Sequence, residues 1–219
     1  MAILAPSMLS ADFKVLGEEL KTVEDFGAKY IHYDVMDGMF VPSLSFGPAI
    51  LQSIRPASTL VHDVHLMIEE PIRYIEAFAK ASADIITVHI EACSDLDATI
   101  AKIKECGCKV GVSVKPATPV SALEPYIDKI DMILIMSVEP GFGGQKFMPM
   151  ALDKLKEAKA LVESKGLNID IQVDGGIYTH NVEEVLKAGA NIIVAGSAVF
   201  NGDTKQNTID MMDILNRYE

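Results

Sequence analysis

The stretch Tyr30-Ile31-His32-Tyr33-Asp34-Val35-Met36-Asp37-Gly38 decides the fold, because it is typical of a β-strand that ends in chemically active side chains. Side chains alternate between the two faces of a strand, so His32, Asp34 and Met36 project together on one side. The residues that face the opposite side are Ile31, Tyr33 and Val35. A nitrogen ligand and a carboxylate two residues apart allow one strand to bind a divalent metal. The pattern therefore predicts a strand that packs on helices through one face and carries a site on the other.

Short apolar, β-branched segments of this kind recur along the chain, roughly 20 to 30 residues apart. They cover residues 3–7, 30–36, 60–67, 85–90, 109–115, 132–138, 169–174 and 191–196. Amphipathic stretches separate them, as in residues 12–27, where apolar side chains recur every three or four residues and Gly27 is placed to end a helix. This alternation predicts an α/β fold, a single (β/α)8 TIM barrel over residues 1–219. The alternative is an open doubly wound sheet, which usually has fewer strands and a glycine-rich turn after the first.

Composition limits the classes of function. The 219 residues are 49% hydrophobic, enough to bury one large core. A formal charge of −12 and an isoelectric point near 4.8 argue against nucleic acid or an anionic membrane as a partner. Three cysteines do not form a disulfide framework. There is no basic leader and no apolar run near the ~18 residues of a membrane span, so we expect a cytoplasmic protein.

Three strand-like segments end in residues that suit a metal site. His32 and Asp34 end the second, His65 ends the third and Asp174 ends the seventh. The carboxyl ends of the strands meet at one end of such a barrel, where the chemistry of the fold resides. The four side chains are therefore predicted to form both a metal site and an acid–base pair. The sequence His89-Ile90-Glu91 has a similar form, but a structural role is favoured because no second ligand pair accompanies it.

Glycine-rich loops follow the last three strands. Their residues are Gly141, Phe142, Gly143 and Gly144 after the sixth strand, Gly175 and Gly176 after the seventh, and Gly196 and Ser197 after the eighth. Loops after strands 7 and 8 of this barrel often bind phosphate through backbone N–H groups, and glycine permits a close approach. The loops therefore predict a phosphate site. Tight turns alone are the alternative, and the first loop is also compatible with a mobile lid.

Two other features bear on the chemistry. Lys115 ends the fifth strand, and a lysine inside a barrel mouth can form a Schiff base with a carbonyl substrate, as in metal-independent aldolases. Met36, Met67 and Met136 are spaced to end strands 2, 3 and 6 on the inner face, although methionine is usually core filler. A barrel that binds a sugar phosphate without catalysis is a further alternative.

Five motifs, in order over nearly the whole chain, closely resemble those of ribulose-phosphate 3-epimerases. They are Ala5-Pro6-Ser7-Met8-Leu9-Ser10-Ala11-Asp12-Phe13, His32-Tyr33-Asp34-Val35-Met36-Asp37-Gly38, Asp63-Val64-His65-Leu66-Met67, Pro140-Gly141-Phe142-Gly143-Gly144-Gln145 and Val173-Asp174-Gly175-Gly176. The resemblance implies one divalent metal, namely zinc, iron(II), manganese or cobalt, on His32, Asp34, His65 and Asp174. It also implies that the two aspartates are the catalytic acid–base pair.

The same resemblance implies the substrate contacts and the partners. Ser7, His65 and Asp174 would contact a phosphorylated ketose, and the three methionines would line its reacting carbons. The phosphate would lie on Gly141, Phe142, Gly143, Gly144, Gly175, Gly176, Gly196 and Ser197. Members of the family are usually homo-oligomers, so we expect one here.

The chain departs from the usual family pattern in the loop after the second strand. Met39 and Ser43 stand where the family usually has histidine and asparagine. A relative, allulose-6-phosphate 3-epimerase, shares the site but has serine at the position of Gly176. We therefore expect the pentulose reaction, the conversion of D-ribulose 5-phosphate to D-xylulose 5-phosphate, with the hexulose phosphate as the alternative.

Overall fold

Eight parallel strands form the frame of the protein in a computed structural model, which describes residues 2–218. They are β1 (Ile3–Pro6), β2 (Tyr30–Met36), β3 (Val61–Met67), β4 (Ile85–His89), β5 (Lys109–Val114), β6 (Met132–Met136), β7 (Asp170–Asp174) and β8 (Ile192–Ala195). Each strand from β2 to β7 pairs with the strand that follows it in the chain, and β8 pairs with β1. A parallel bridge between Ser7 and His32 joins β1 to β2 and completes the ring. The predicted TIM barrel is confirmed, and the open sheet is excluded.

Helices surround this ring. They are α1 (Leu16–Asp25), α2 (Pro48–Ile54), α3 (Ile75–Lys80), α4 (Leu96–Glu105), α5 (Met150–Ser164), α6 (Val182–Ala188), α7 (Ser197–Phe200) and α8 (Thr204–Leu215). Between β5 and β6 the chain instead forms a 3-10 helix, Val120–Lys129. Pro125 lies inside it, and proline disfavours an α-helix there because it has no N–H and its ring obstructs the preceding turn. Within residues 2–218, no helix has the length and apolar character needed to cross a membrane.

The first helix begins later than the amphipathic pattern over residues 12–27 predicts. The side chain of Asp12 accepts a hydrogen bond from the backbone N–H of Lys14 at 3.0 Å, which favours a turn ahead of Leu16. Phe13, which the pattern assigns to the buried face, is therefore outside the helix and 48% exposed. Gly27 follows the helix with a φ of 111°, so its role as the stop is as predicted.

The alternation of β2 is as the sequence predicts. Ile31, Tyr33 and Val35 are buried in the large core between the sheet and the helices, where full burial of one aliphatic side chain contributes about 1.5–3 kcal/mol. On the inner face, Tyr30 joins a small apolar cluster that fills the interior of the barrel below the cleft. Its other buried members are Ala5, Ile85, Met132, Ile192 and Val194. The polar side chains late in β2 consequently lie above an apolar floor and open toward the carboxyl end.

Candidate active site

Four side chains converge at the carboxyl end of the barrel. The register of β2 on β3 places Asp34 beside His65, and both side chains point inward. His65 Nδ1 lies 3.1 Å from Asp34 Oδ1, and His32 Nε2 lies 3.3 Å from the same oxygen. Asp174 Oδ2 is 4.0 Å from each of these two nitrogens. One donor atom from each of the four residues thus lies within 4.8 Å of all the others.

This donor set fits one divalent metal ion. Histidine nitrogen and carboxylate oxygen bind zinc at roughly 2.0–2.2 Å, and a tetrahedral arrangement then separates the donors by roughly 3.3–3.5 Å. The distances of 3.1 to 4.0 Å among these atoms are close to that spacing. Two nitrogens and two oxygens suit zinc, iron(II), manganese and cobalt alike, so the donors do not select among them. The four residues could therefore hold the ion that the sequence predicts.

A buried carboxylate contacts the ring nitrogen of His32 that faces away from the site. His32 Nδ1 lies 2.7 Å from Asp63 Oδ2, and Gln172 Nε2 donates to the same oxygen at 2.6 Å. All three side chains are fully buried. The carboxylate favours the tautomer with the proton on Nδ1, which leaves the lone pair of Nε2 directed at the site. Sequence reasoning missed Asp63 and Gln172, although each lies two residues before a predicted site residue on the same strand face.

The two site aspartates have unequal environments. Asp34 accepts a hydrogen bond from Ser7 Oγ at 2.6 Å. Burial alone would raise the pKa of Asp34, but the neighbouring His32 and His65 hold it well below its usual range. Burial, reinforced by the charge of Asp34, raises the pKa of Asp174 to about 6. Asp34 is therefore an anion at neutral pH, whereas Asp174 holds a proton much more readily than Asp34 does. Two identical side chains can therefore serve as an acid and a base, because their surroundings differ.

The site attracts positive charge. Burial alone would lower the pKa of His32, but Asp34 and Asp63 on its two sides raise it well above its usual value. Protonated His32 balances these carboxylates when no cation is bound. A divalent ion would bring the same compensation, and it would require a neutral imidazole.

A cleft of about 550 Å³, including its open mouth, lies directly above the four donors. The predicted site residues on its lining are Ser7, Asp34, Met36, Met67, Met136, Gly141, Phe142, Gly143, Gly144, Asp174, Gly175, Gly176, Gly196 and Ser197. His32 and His65 are fully buried beneath it. Lys115 is not on the lining, and its Nζ lies 3.8 Å from the centre of the Phe40 ring. The geometry therefore does not favour a Schiff base at Lys115.

The cleft has further lining residues that the sequence did not single out as site residues. They are Leu9, Ser10, Val138, Pro140, Gln145, Ile177, Tyr178 and Val194. The Tyr178 hydroxyl lies 2.7 Å from Ser197 Oγ and fixes the loop after β8 against the loop after β7. A Cβ atom at Gly196 would lie 2.7 Å from Ser10 Oγ, so the first loop packs closely on the last. Seven of them lie in the same loops as predicted residues, and Val194 lies in β8 two residues before Gly196, so these positions were the available signal.

The loops after β6 and β7 contain glycine N–H groups that no backbone carbonyl accepts from among the described residues. Gln145 Nε2 donates to the carbonyl oxygens of Glu139 at 2.7 Å and Phe142 at 2.9 Å, which holds the loop in a compact turn. Among the described residues, no backbone acceptor is paired with the N–H groups of Gly143, Gly144 or Gly176. Such groups can bind an anion without any cationic side chain, which suits a phosphate in an acidic protein.

Comparisons with known proteins point to one family. A model of the ribulose-phosphate 3 epimerase family matches residues 3–200. A ribulose-phosphate 3-epimerase from Bacillus subtilis is 52% identical over 210 residues, which are 95% of this chain and 97% of that protein. One from Escherichia coli is 47% identical over 211 residues, with 96% and 94% covered.

A solved structure is similar at the level of the fold. The 3-keto-L-gulonate-6-phosphate decarboxylase from Vibrio cholerae superimposes with a TM-score of 0.71 over 100% of this chain and 98% of that one. Its sequence is only 14% identical, so this likeness concerns the barrel alone.

Proposed function

Because the chain belongs to the ribulose-phosphate 3-epimerase family, we propose that it inverts C3 of D-ribulose 5-phosphate to give D-xylulose 5-phosphate. Relatives about half identical to it over nearly their whole length have that name, so it is an isomerase. The observation that carries the mechanism is the pair Asp34 and Asp174, which share one cleft but differ in their tendency to hold a proton.

The reaction needs two groups that exchange protons with one carbon. The C3 proton lies next to the C2 ketone, and its removal gives a planar enediolate. Return of a proton to the opposite face yields the epimer, so one acid–base group must serve each face. Asp34 extends from β2 and Asp174 from β7, which are separated by β1 and β8 around the barrel mouth. A sugar between them would have one carboxyl group on each side.

The two environments determine which of the two aspartates carries a proton. Ionised Asp34 is ready to accept a proton, and Asp174, with a pKa of about 6, is ready to donate one. After one inversion the two have exchanged protonation states, and either proton exchange with water or the reverse reaction restores them. Their titrations are coupled, so the values seen in a pH–rate profile belong to the pair. The Ser7 hydroxyl keeps the Asp34 carboxylate oriented during this exchange.

The remaining residues hold the reactants. A divalent ion on the four donors would act as a Lewis acid for the negative charge that develops on the substrate oxygens. Met36, Met67 and Met136 form a buried, polarisable lining over the reacting carbons and exclude water from them. The glycine-rich loops bind the phosphate group through backbone N–H groups. A homo-oligomer and a cytoplasmic location stay predictions.

An NMR assay in D₂O tests the proposal. Ribulose 5-phosphate and allulose 6-phosphate are compared as substrates, with and without a chelator. We expect inversion and deuterium entry at C3 of the pentulose, both abolished by the chelator. Asp34→Asn and Asp174→Asn should each lose nearly all inversion, because each removes the group that serves one face. Full activity in either variant would contradict the two-base scheme.

The assay also separates the alternatives. Faster turnover of allulose 6-phosphate would assign the enzyme to hexulose phosphates. Binding without deuterium exchange would indicate a passive sugar-phosphate protein. Activity that survives the chelator, together with borohydride trapping that Lys115→Ala abolishes, would indicate an aldolase.

A further inference from the structure

We propose that His89 and Glu91 are positioning residues, which hold His65 in the tautomer that presents its Nδ1 lone pair to the metal site. They belong to the sequence His89-Ile90-Glu91 at the end of β4, which the proposed function leaves without a role. The inference rests on the metal site of that proposed function. It concerns residues of this chain that contact neither the substrate cleft nor the four donor atoms directly.

The three side chains form a continuous relay away from the site. His65 Nε2 lies 2.9 Å from His89 Nε2, and His89 Nδ1 lies 3.3 Å from Glu91 Oε2. His65 and His89 are fully buried, and their rings meet edge to edge with centroids 5.0 Å apart and planes inclined by 30°. The Phe40 ring packs against His89, and the centroids of these two rings are also 5.0 Å apart. The packing therefore leaves His89 little freedom to turn its nitrogens elsewhere.

Glu91 sets the direction of the hydrogen bonds in this relay. Its Oε1 accepts the backbone N–H of Lys115 at 2.7 Å. Burial opposes ionisation of Glu91, but hydrogen bonds from His89 and the Lys115 backbone help to lower its pKa to about 2. An ionised carboxylate can only accept hydrogen bonds, so the proton of His89 must be on Nδ1.

The position of that proton determines the state of His65. With Nδ1 protonated, neutral His89 has an acceptor at Nε2, and His65 must donate from its own Nε2. His65 Nδ1 is then a lone pair, directed toward Asp34 Oδ1 and His32 Nε2. The opposite polarity would put the His65 proton on Nδ1, where it would block a metal. Each imidazole of the site is thus supported by a carboxylate, directly in the case of His32 and through a second imidazole in the case of His65.

Cobalt(II) binding to purified variants tests the relay without an activity assay. His89→Leu removes the acceptor, and we expect its cobalt dissociation constant to rise about 10–100-fold, with a changed visible absorption spectrum. His89→Gln keeps an acceptor for His65 and a donor for Glu91, so most of the affinity should return. Glu91→Gln weakens the orientation of His89 and should lie between the two.

His62→Leu is the matched control. His62 is also a fully buried histidine, but its two ring nitrogens have no hydrogen-bond partner among the described residues, and it faces the helices. Its replacement should leave cobalt affinity and spectrum unchanged. If His89 only filled space, His89→Leu and His89→Gln would change thermal stability while cobalt affinity stayed at the wild-type value, and the inference would be overturned.

NMR of the zinc-loaded wild-type protein gives a test that needs no variant. Long-range ¹H–¹⁵N correlations should place the proton of His89 on Nδ1 and that of His65 on Nε2. The reverse tautomers would overturn the inference even if the His89 variants failed to fold. A wild-type protein that binds no divalent ion would overturn the metal site of the proposed function as well. Normal cobalt binding by the wild type and by all three variants would overturn the relay alone.

Discussion

Replacement of Gly176 by alanine is expected to damage both stability and substrate binding. Gly176 has a φ of 65°, and a Cβ atom there would clash with Phe147 N and would lie 2.7 Å from Gln145 O. Both contacts are with backbone, which cannot move aside as a flexible side chain can. Gly166→Ala is the matched control, because Gly166 has a φ of 63° and open space around its Cβ position.

The magnitudes follow from these two environments. Both alanines adopt a left-handed conformation, which costs about 1–2 kcal/mol. Only the alanine at Gly176 also overpacks its surroundings, which typically adds about 1–3 kcal/mol. We therefore expect the free energy of unfolding to fall by roughly 1–2 kcal/mol in Gly166→Ala and by roughly 2–5 kcal/mol in Gly176→Ala. Urea denaturation measures both.

The kinetic consequence is confined to Gly176→Ala. The displaced backbone belongs to the loop that follows β6, whose glycine N–H groups are proposed to bind the phosphate. Loss of one hydrogen bond to a charged acceptor costs about 1.5–3 kcal/mol, which corresponds to a rise in KM of roughly 10–100-fold. Gly166→Ala should keep the wild-type KM. Equal destabilisation in the two variants, with an unchanged KM in both, would refute this account of how the two loops pack.

Three other predictions concern buried polar groups. Asp63→Asn should weaken metal binding about 10–100-fold, because His32 loses its anionic partner; chelator competition measures this, and wild-type affinity would contradict it. Metal affinity should fall as the pH drops, because His32, with its raised pKa, and Asp174, with a pKa of about 6, must both release their protons to bind the ion. Calorimetry at pH 5.5 in two buffers with different ionisation heats should detect the released protons, and their absence would disprove the prediction. Burial lowers the pKa of His62 to about 4, so the unfolded chain takes up the proton first as the pH falls below 6.5, and stability declines from there toward 4. His62→Leu should flatten this part of the pH–stability curve, and an unchanged slope would argue against it.

Periodicity in the sequence predicted most of the frame and the four donors. The period of two in β2 placed His32 and Asp34 on the inner face, opposite Ile31 and Tyr33. The late positions of His65 and Asp174 in their strands then located them at the same end, because all strands of this barrel run parallel. These inferences need only strand geometry and topology, which local sequence specifies well.

Other features depend on three-dimensional contacts that no local pattern contains. Asp63 and Gln172 come from β3 and β7 and meet only after the barrel closes. The segment Val120–Lys129 is amphipathic, but Pro125 makes it a 3-10 helix. His89 was assigned a structural role because no second ligand pair accompanied it, yet its contact with His65 depends on the packing of β3 against β4.

The junction between β1 and β2 has a consequence for how the barrel comes apart. The bridge there joins Ser7 to His32, so a residue that orients Asp34 is paired with a proposed metal ligand. This pairing is much shorter than the seven-residue register between β2 and β3. Local opening on warming would therefore begin next to the proposed catalytic groups, and we expect activity to be lost at a lower temperature than the one at which the rest of the barrel unfolds.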